Sequence, residues 1–201
     1  MRTPFATLLL LLSTPVVCLS QEHTPRPPRT EPAPPRTEPL QPRTEPVPGS
    51  WIKYDSTAGR FSVLLPGQPK LSTQESATAD GVKFTQYLSN ASSATAVCLT
   101  GYFDQVPGTV FNFDQARDGM VKAVKGSMLW EKAISLGVHT GREFQIVANL
   151  DGTDAMFRVR IYQVQTRIFV LQFISEKKYE GLEIVKESKK YLDSFTPYTN
   201  Q

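Results

Sequence analysis

The segment AMFRVRIYQV sets Arg158 and Arg160 two residues apart, interleaved with Phe157, Val159 and Ile161. Side chains alternate along a strand, so both guanidinium groups leave one sheet face while the apolar set enters the core. Paired cations of this kind can grip an anion, with Arg142 and Arg167 contributing from neighbouring strands. The plainer reading is structural: solvated strand arginines paired with Glu143 or Glu131.

Catalytic chemistry finds less to work with. Of the two histidines, His23 lies in a proline-rich stretch and His139 in GVHTGRE, a turn between extended runs. A general base needs a nucleophile to deprotonate, and no spaced Ser or Cys motif accompanies His139. It reads first as a polar turn residue, and a hydrolase built on it ranks last among the functions considered. The chain has no His-x-x-x-His, Cys-x-x-Cys or Asp-x-Asp-x-Asp-Gly pattern, and GTDAMF and PGTVF lack the glycines and lysine of a phosphate loop. Asp151 and Asp154 flank Gly152-Thr153 and are expected to shape a turn. No catalytic residue, metal or cofactor is therefore assigned. The remaining clue is aromatic: Phe103, Phe111 and Phe113 cluster in GYFDQVPGTVFNFD, a loop running into a helix. Loops concentrate binding residues, so the cluster could wall an apolar pocket or a protein contact; the plainer reading is that it plugs one end of the core. The candidate binding residues are thus Phe103, Phe111, Phe113, Arg142, Arg158 and Arg160.

The elements that must position these residues follow from periodicity. WIKYDSTAGRFSVLLPGQPK reads as two short strands around Gly59, the second over Arg60 to Leu65, then a turn through Pro66, Gly67 and Pro69. KLSTQESATADGVKFTQYLS and ATAVCLTGYFD supply three more strands, the first two joined at Ala79-Asp80-Gly81 in an antiparallel meander. The period then changes. Phe113, Ala116, Met120, Val121, Val124 and Met128 fall at helical spacing, with Asn112 or Asp114 able to cap the start and Gly126 weakening the end. Three strands follow, EKAISLGV, GREFQIVANL and AMFRVRIYQV, with Asp151-Gly152 turning between the last two. RIFVLQFIS is apolar on both alternating sets, Ile168, Val170 and Ile174 against Phe169, Leu171 and Phe173, so it belongs in the centre of a sheet covered on both faces. KKYEGLEIVKESKKYLDSF closes the chain as an amphipathic helix with Leu182, Val185, Leu192 and Phe195 on one stripe. The predicted fold is α+β: an antiparallel sheet of about seven or eight strands with two main helices, arranged on opposite faces as an α/β/α sandwich.

Composition divides the 201 residues into three parts: a signal peptide over 1–20, a proline-rich linker over 21–50 and one domain over 51–201. The start, MRTPFATLLLLLSTPVVCLSQ, has an early Arg2, an apolar run from Phe5 to Leu12 and a Pro15 break. That run is too short to span a bilayer of about 30 Å, and cleavage after Ser20 leaves Gln21 first. Cys18 offers a rival, a lipidated cysteine, but Val17 and Pro15 occupy the places where lipoprotein processing prefers a small residue and a leucine. With Cys18 removed, Cys98 is the one remaining thiol, on an apolar strand that favours inert burial. The linker repeats Pro-Arg-Thr-Glu-Pro at Pro28, Pro35 and Pro42. Proline at this density favours polyproline II, and thirty such residues reach roughly 90 Å. The repeat reads first as a stiff, charge-balanced spacer and second as a ligand for an aromatic groove. Five of the 22 Lys and Arg and four of the 19 Asp and Glu precede Trp51, so the domain carries only about +2, without the basic block that nucleic acid demands. In a glycosylating host, Asn90-Ala91-Ser92 is an acceptor pattern in a predicted turn.

The order GRFSVLLPGQPK, a hairpin pair, a helix, GREF, a hairpin ending in RIFVLQF, and the closing YLDSF resembles exported bacterial proteins of a PsbP-like or DcrB-like kind. The resemblance covers about residues 51 to 197 and leaves the repeat outside. It implies an α/β/α sandwich acting as an accessory or binding module in a membrane-associated setting, with no shared catalytic motif to carry over. The expected function is a non-enzymatic exported domain, periplasmic or secreted, that engages an envelope or extracellular protein. A carrier of a small apolar or amphipathic ligand, lodged near Phe111 and Phe113, is the alternative. Nucleic acid is not an expected partner, and a membrane is one only through lipidated Cys18.

Overall fold

A computed structural model of the chain describes residues 50–77 and 81–198. The expected signal peptide, Cys18, His23, the repeat linker and the turn residues Ala79 and Asp80 lie outside the described residues. In chain order the elements are β1 (Ile52–Ser56), β2 (Phe61–Leu65), β3 (Lys70–Ala77), β4 (Lys83–Ser92), β5 (Ala96–Asp104), α1 (Phe113–Ala123), β6 (Ser127–Leu136), β7 (His139–Leu150), β8 (Thr153–Val164), β9 (Arg167–Glu176), α2 (Leu182–Asp193) and β10 (Thr196–Pro197). The fold is mixed α+β, with a seven-stranded sheet in the order β3-β4-β5-β9-β8-β7-β6, antiparallel throughout.

The doubly apolar strand sits where its composition demands. β9 is the fourth of the seven strands. Phe169, Leu171 and Phe173 enter one buried cluster, with Cys98, Tyr102 and Tyr162 from the sheet and Ile184, Tyr191 and Leu192 from α2. Ile168 and Ile174 enter a second cluster with Phe144, Ile146, Phe157, Val159 and Ile161, against which Val170 and the α1 residues Ala116, Met120 and Val121 pack. The two helices thus cover opposite sheet faces, and β9 contributes to both interiors.

Four expectations are corrected. First, β1 and β2 do not extend the main sheet. They form a separate three-stranded sheet, β1-β2-β10, that packs beside α2 through Phe61, Val63 and Leu65. Its third strand is only Thr196–Pro197, too short to show any period. Second, Met128 belongs to β6, because α1 ends at Ala123 and Lys125 takes a positive φ of 50° before the chain turns. Gly126 is needed at that turn: a Cβ there would stand 2.6 Å from Ile146 Cγ2 and 2.7 Å from the Val147 carbonyl oxygen. Third, the buried stripe of α2 is Ile184, Ser188, Tyr191 and Leu192, while Leu182 is exposed. A serine in the stripe hid it from an apolar count; its hydroxyl donates back to the Val185 carbonyl at 2.8 Å, which satisfies it inside the core. Fourth, Asn90-Ala91-Ser92 lies in β4 rather than a turn, with Asn90 Nδ2 donating to the Lys70 carbonyl at 3.3 Å and Ala91 buried.

Local chemistry fixes the remaining boundaries. Asn112 accepts from the Gln115 amide at 3.0 Å and caps α1. Asp151 and Gly152 both take positive φ, 49° and 87°, as the two-residue turn between β7 and β8 requires. Asn149 braces that turn, accepting from the Gly152 amide at 3.0 Å and donating to Asp154 at 2.8 Å, so Asp154 shapes the turn as its position suggested.

The closing helix is locked to the sheet by one buried phenol. Tyr191 is 0% exposed; its hydroxyl donates to the Leu99 carbonyl at 2.7 Å and lies 2.8 Å from Thr100 Oγ1. Burial raises its pKa well above the usual tyrosine range, so it stays a donor. Tyr191→Phe is expected to leave a buried oxygen short of a partner and to lower stability by roughly 1–3 kcal/mol in urea titration. An unchanged midpoint contradicts the lock.

Candidate functional site

The strand arginines do not form one site. Arg158 and Arg160 project from β8 toward the α2 face, as their alternation predicts. Arg142 stands across from Ile161, a member of the α1-side cluster, and so lies on the opposite face. Arg167 shares the α2 face but sits at the start of β9, across from Asp104 of β5.

Each of the four meets a carboxylate. Arg160 Nε donates to Glu143 at 2.9 Å, and its NH1 lies 2.7 Å from Asp193 of α2. Arg158 pairs with Glu180, on the segment leading into α2, and is 9% exposed with NH1 buried and unbonded. Arg142 Nε stands 3.4 Å from Glu131, which also takes Arg117 of α1. Arg142 further caps the Phe113 ring, 5.9 Å from its centroid. The expected partners Glu143 and Glu131 are therefore in place, while Glu180, Asp193 and Asp104 were not legible: each comes from an element brought close only by the fold.

Arg167 does the most positioning. Nε and NH2 grip both oxygens of Asp104 at 2.7 and 2.8 Å, and NH1 donates to the carbonyls of Ala58 at 2.9 Å and Gly59 at 3.0 Å. Its guanidinium also lies 4.9 Å from the Tyr102 ring centroid. One side chain thereby pins the β1–β2 turn to the main sheet. Gly59 is needed within the turn itself, since a Cβ there would come within 2.4 Å of the Phe61 ring and 2.7 Å of Ser56 Oγ.

The aromatic candidates do come together, on the α1 face. Phe103 stands 6.1 Å from Phe111, which stands 5.0 Å from Phe113, both edge-on; Phe84 of β4 extends the row at 4.6 Å from Phe103. Phe84 was missed because it sits one hairpin away from the loop cluster. All four rings are half-buried, and Phe103, Phe111 and Phe113 pack on the cluster beneath α1. A recess of about 50 Å³ occurs elsewhere, at the β4–β5 turn, lined by Ser92, Thr95, Val97, Ile174, Glu176 and Tyr179. That holds a water or two, against the roughly 300 Å³ or more of a small-molecule site.

His139 lies at the first position of β7, half-buried, opposite Leu136. Cys98 is buried, and desolvation pushes its thiol up, away from the thiolate a nucleophile needs. Among the described residues no cluster of three His, Cys, Asp or Glu is placed to hold a metal, and no helix is long and apolar enough to cross a membrane.

The Asp104–Arg167 clamp makes a pH prediction. Hydrogen bonds from Arg167 hold the Asp104 carboxyl below its ordinary value. A depressed carboxylate adds stability above its unfolded pKa of about 4 and loses it as pH falls through the lower folded value. Asp104→Asn is therefore expected to flatten the loss of stability on acidification below about pH 4, read from thermal melts across pH. An acid limb identical to wild type contradicts the clamp.

No family model matches the chain, and no curated protein does. Solved structures to which the chain is similar include two bacterial proteins. The protein of unknown function PA94 from Pseudomonas aeruginosa is 12% identical at a TM-score of 0.35, over 65% of this chain and 85% of that one. A Bacteroides thetaiotaomicron protein is 15% identical at a TM-score of 0.42, over 74% of this chain and 48% of that one. Likeness at this level carries no argument about family or function.

Proposed function

We propose that the protein is a non-enzymatic, exported binding domain that engages another protein of the cell envelope or extracellular space, displayed on the proline-rich segment. The observation that carries this reading is an open sheet edge with large apolar side chains. β6 ends the main sheet, and Met128, Leu129 and Trp130 along it are all exposed. A run of three on an edge strand is the kind of surface that soluble monomers guard and interaction modules keep. Two further features support the reading. The strand arginines are engaged by internal carboxylates, which makes an anion-processing site the poorer use of them. The apolar start of the sequence and its PRTEP repeats have the composition of a signal and a spacer.

The finer family likeness belongs to this proposal too. A helix on each face of a central antiparallel sheet suits a PsbP-like or DcrB-like α/β/α sandwich, and such domains serve as accessory modules rather than as one class of enzyme.

Native mass spectrometry of the chain purified from its own host tests the function. A retained protein partner in stoichiometric amount is the expected result, and a bare chain, or one carrying only a small apolar molecule, argues against it. The spacer has its own check. Deleting residues 22–48 is expected to move the melting temperature by no more than about 2 °C; a large fall would mean that the segment packs on the domain.

A further inference from the structure

We infer that the free edge of β6 takes up an extended segment of a partner protein as an added strand of the main sheet. This rests on the binding function proposed above and names its surface and partner class.

The geometry of the apolar run selects a strand over other occupants. Met128 stands opposite Ile146, a member of the α1-side cluster, whereas Trp130 stands opposite Gln145 on the α2 face, where its Nε1 donates to Gln145 Oε1 at 2.6 Å. The register shifts between Met128 and Trp130, leaving Leu129 in the irregularity. The three side chains are 42%, 52% and 39% exposed. A membrane or a globular surface approaches one face of a sheet. Only a chain lying along the edge can cover Met128 and Trp130 together while pairing the outward N–H and C=O groups of β6. No proline interrupts β6 to block such pairing.

Charge narrows the partner. In antiparallel pairing of β6 with a second β6, directly opposed residues share a face, so near-complete overlap sets Lys132 against Lys132 or against Trp130, and neither register gives Lys132 a carboxylate. A second copy is disfavoured on that ground. The chain's own PRTEP repeats place proline where ladder N–H groups are needed. On the outer edge Glu131 is already neutralised by Arg117 and Arg142, whereas Lys132 is 58% exposed and shares Glu143 with Arg160, which lies closer. A carboxylate opposite Lys132 is therefore favoured.

The inner edge shows a sequence of this chemistry. β7 sets Glu143 opposite Lys132 and Ile146 opposite Met128. The partner segment is accordingly extended, free of proline at ladder positions, acidic where it meets Lys132 and apolar where it meets Met128.

The probe is a synthetic peptide of residues 141–150, GREFQIVANL, added to the ¹⁵N-labelled full-length mature chain. The expected result is nuclear Overhauser contacts from the peptide to β6 amides, with affinity about tenfold or more weaker for a Phe144→Pro peptide and for a Met128→Thr/Trp130→Thr chain. Circular dichroism and melting confirm that the double variant folds. Contacts confined to other elements, equal binding by the proline peptide, or no contact with β6 at the solubility limit each overturn the inference. So does a chain that elutes as a dimer broken by the double variant, which identifies a second copy as occupant. So does β6 amide protection that vanishes on deleting residues 22–48, which identifies the linker. A partner retained in native mass spectrometry without a footprint on β6 overturns this inference and leaves the binding function standing; a bare chain removes the function itself.

Discussion

β9 has to be buried on both faces, and the rest of the domain is arranged to achieve that. Ile168, Phe169, Leu171 and Phe173 are at most 1% exposed, although neighbours in sequence point in opposite directions. Burying each such side chain is worth roughly 1.5–3 kcal/mol, so leaving either face of β9 open would forfeit an amount comparable with the whole marginal stability of a domain this size. Two covers are therefore obligatory. α1 and its leading loop serve one face, and α2 with the small sheet serves the other. β5 and β8 flank β9 and carry the same double burden on a smaller scale, which pushes the less apolar β3 and β6 outward to the edges.

The polar groups on these strands follow from the same constraint. Arg158 and Arg160 leave β8 beneath α2, where an unpaired guanidinium would be costly, and the carboxylates of Glu180, Asp193 and Glu143 offset that cost. Arg167 meets Asp104 at a more open position and uses its remaining donors on backbone carbonyls of the β1–β2 turn. The arginines thus join layers: β8 to α2, and β9 to the small sheet. Function is left to surfaces the core does not need, of which the β6 edge is, among the described residues, the strand with the longest exposed apolar run.

How much of this was legible depended on whether the signal was local. The two alternating sets of RIFVLQFIS named the central strand and both faces it serves. The period change near Phe113 located α1, and Asp151-Gly152 located its turn. Non-local facts were hidden. That β1 and β2 leave the main sheet depends on Thr196–Pro197, far away in sequence, reaching β2. The stripe of α2 was read only in part: Leu192 and Phe195 are buried as expected, but Ser188 occupies a core position and Leu182 does not. Arginine spacing predicted a shared face for Arg158 and Arg160, and grouping Arg142 with them failed because its face is set by the register of β7 against β8, which puts it opposite Ile161. The aromatic loop cluster was correctly grouped, yet its neighbour Phe84 and the exposed Met128, Leu129 and Trp130 were missed. The last three are conspicuous only once β6 is known to be an edge, and an α-helical spacing had claimed Met128.

Native-state hydrogen exchange, read residue by residue, tests most directly whether the domain is built around β9. The amides bonding β9 to β5 and β8 should be the slowest in the protein and exchange only through global unfolding, while those of β6 and β3 exchange sooner through local opening. If the slowest amides instead lie in β6 and β7 or in the small sheet, with β9 opening first, the account of a domain organised by one doubly buried strand is wrong.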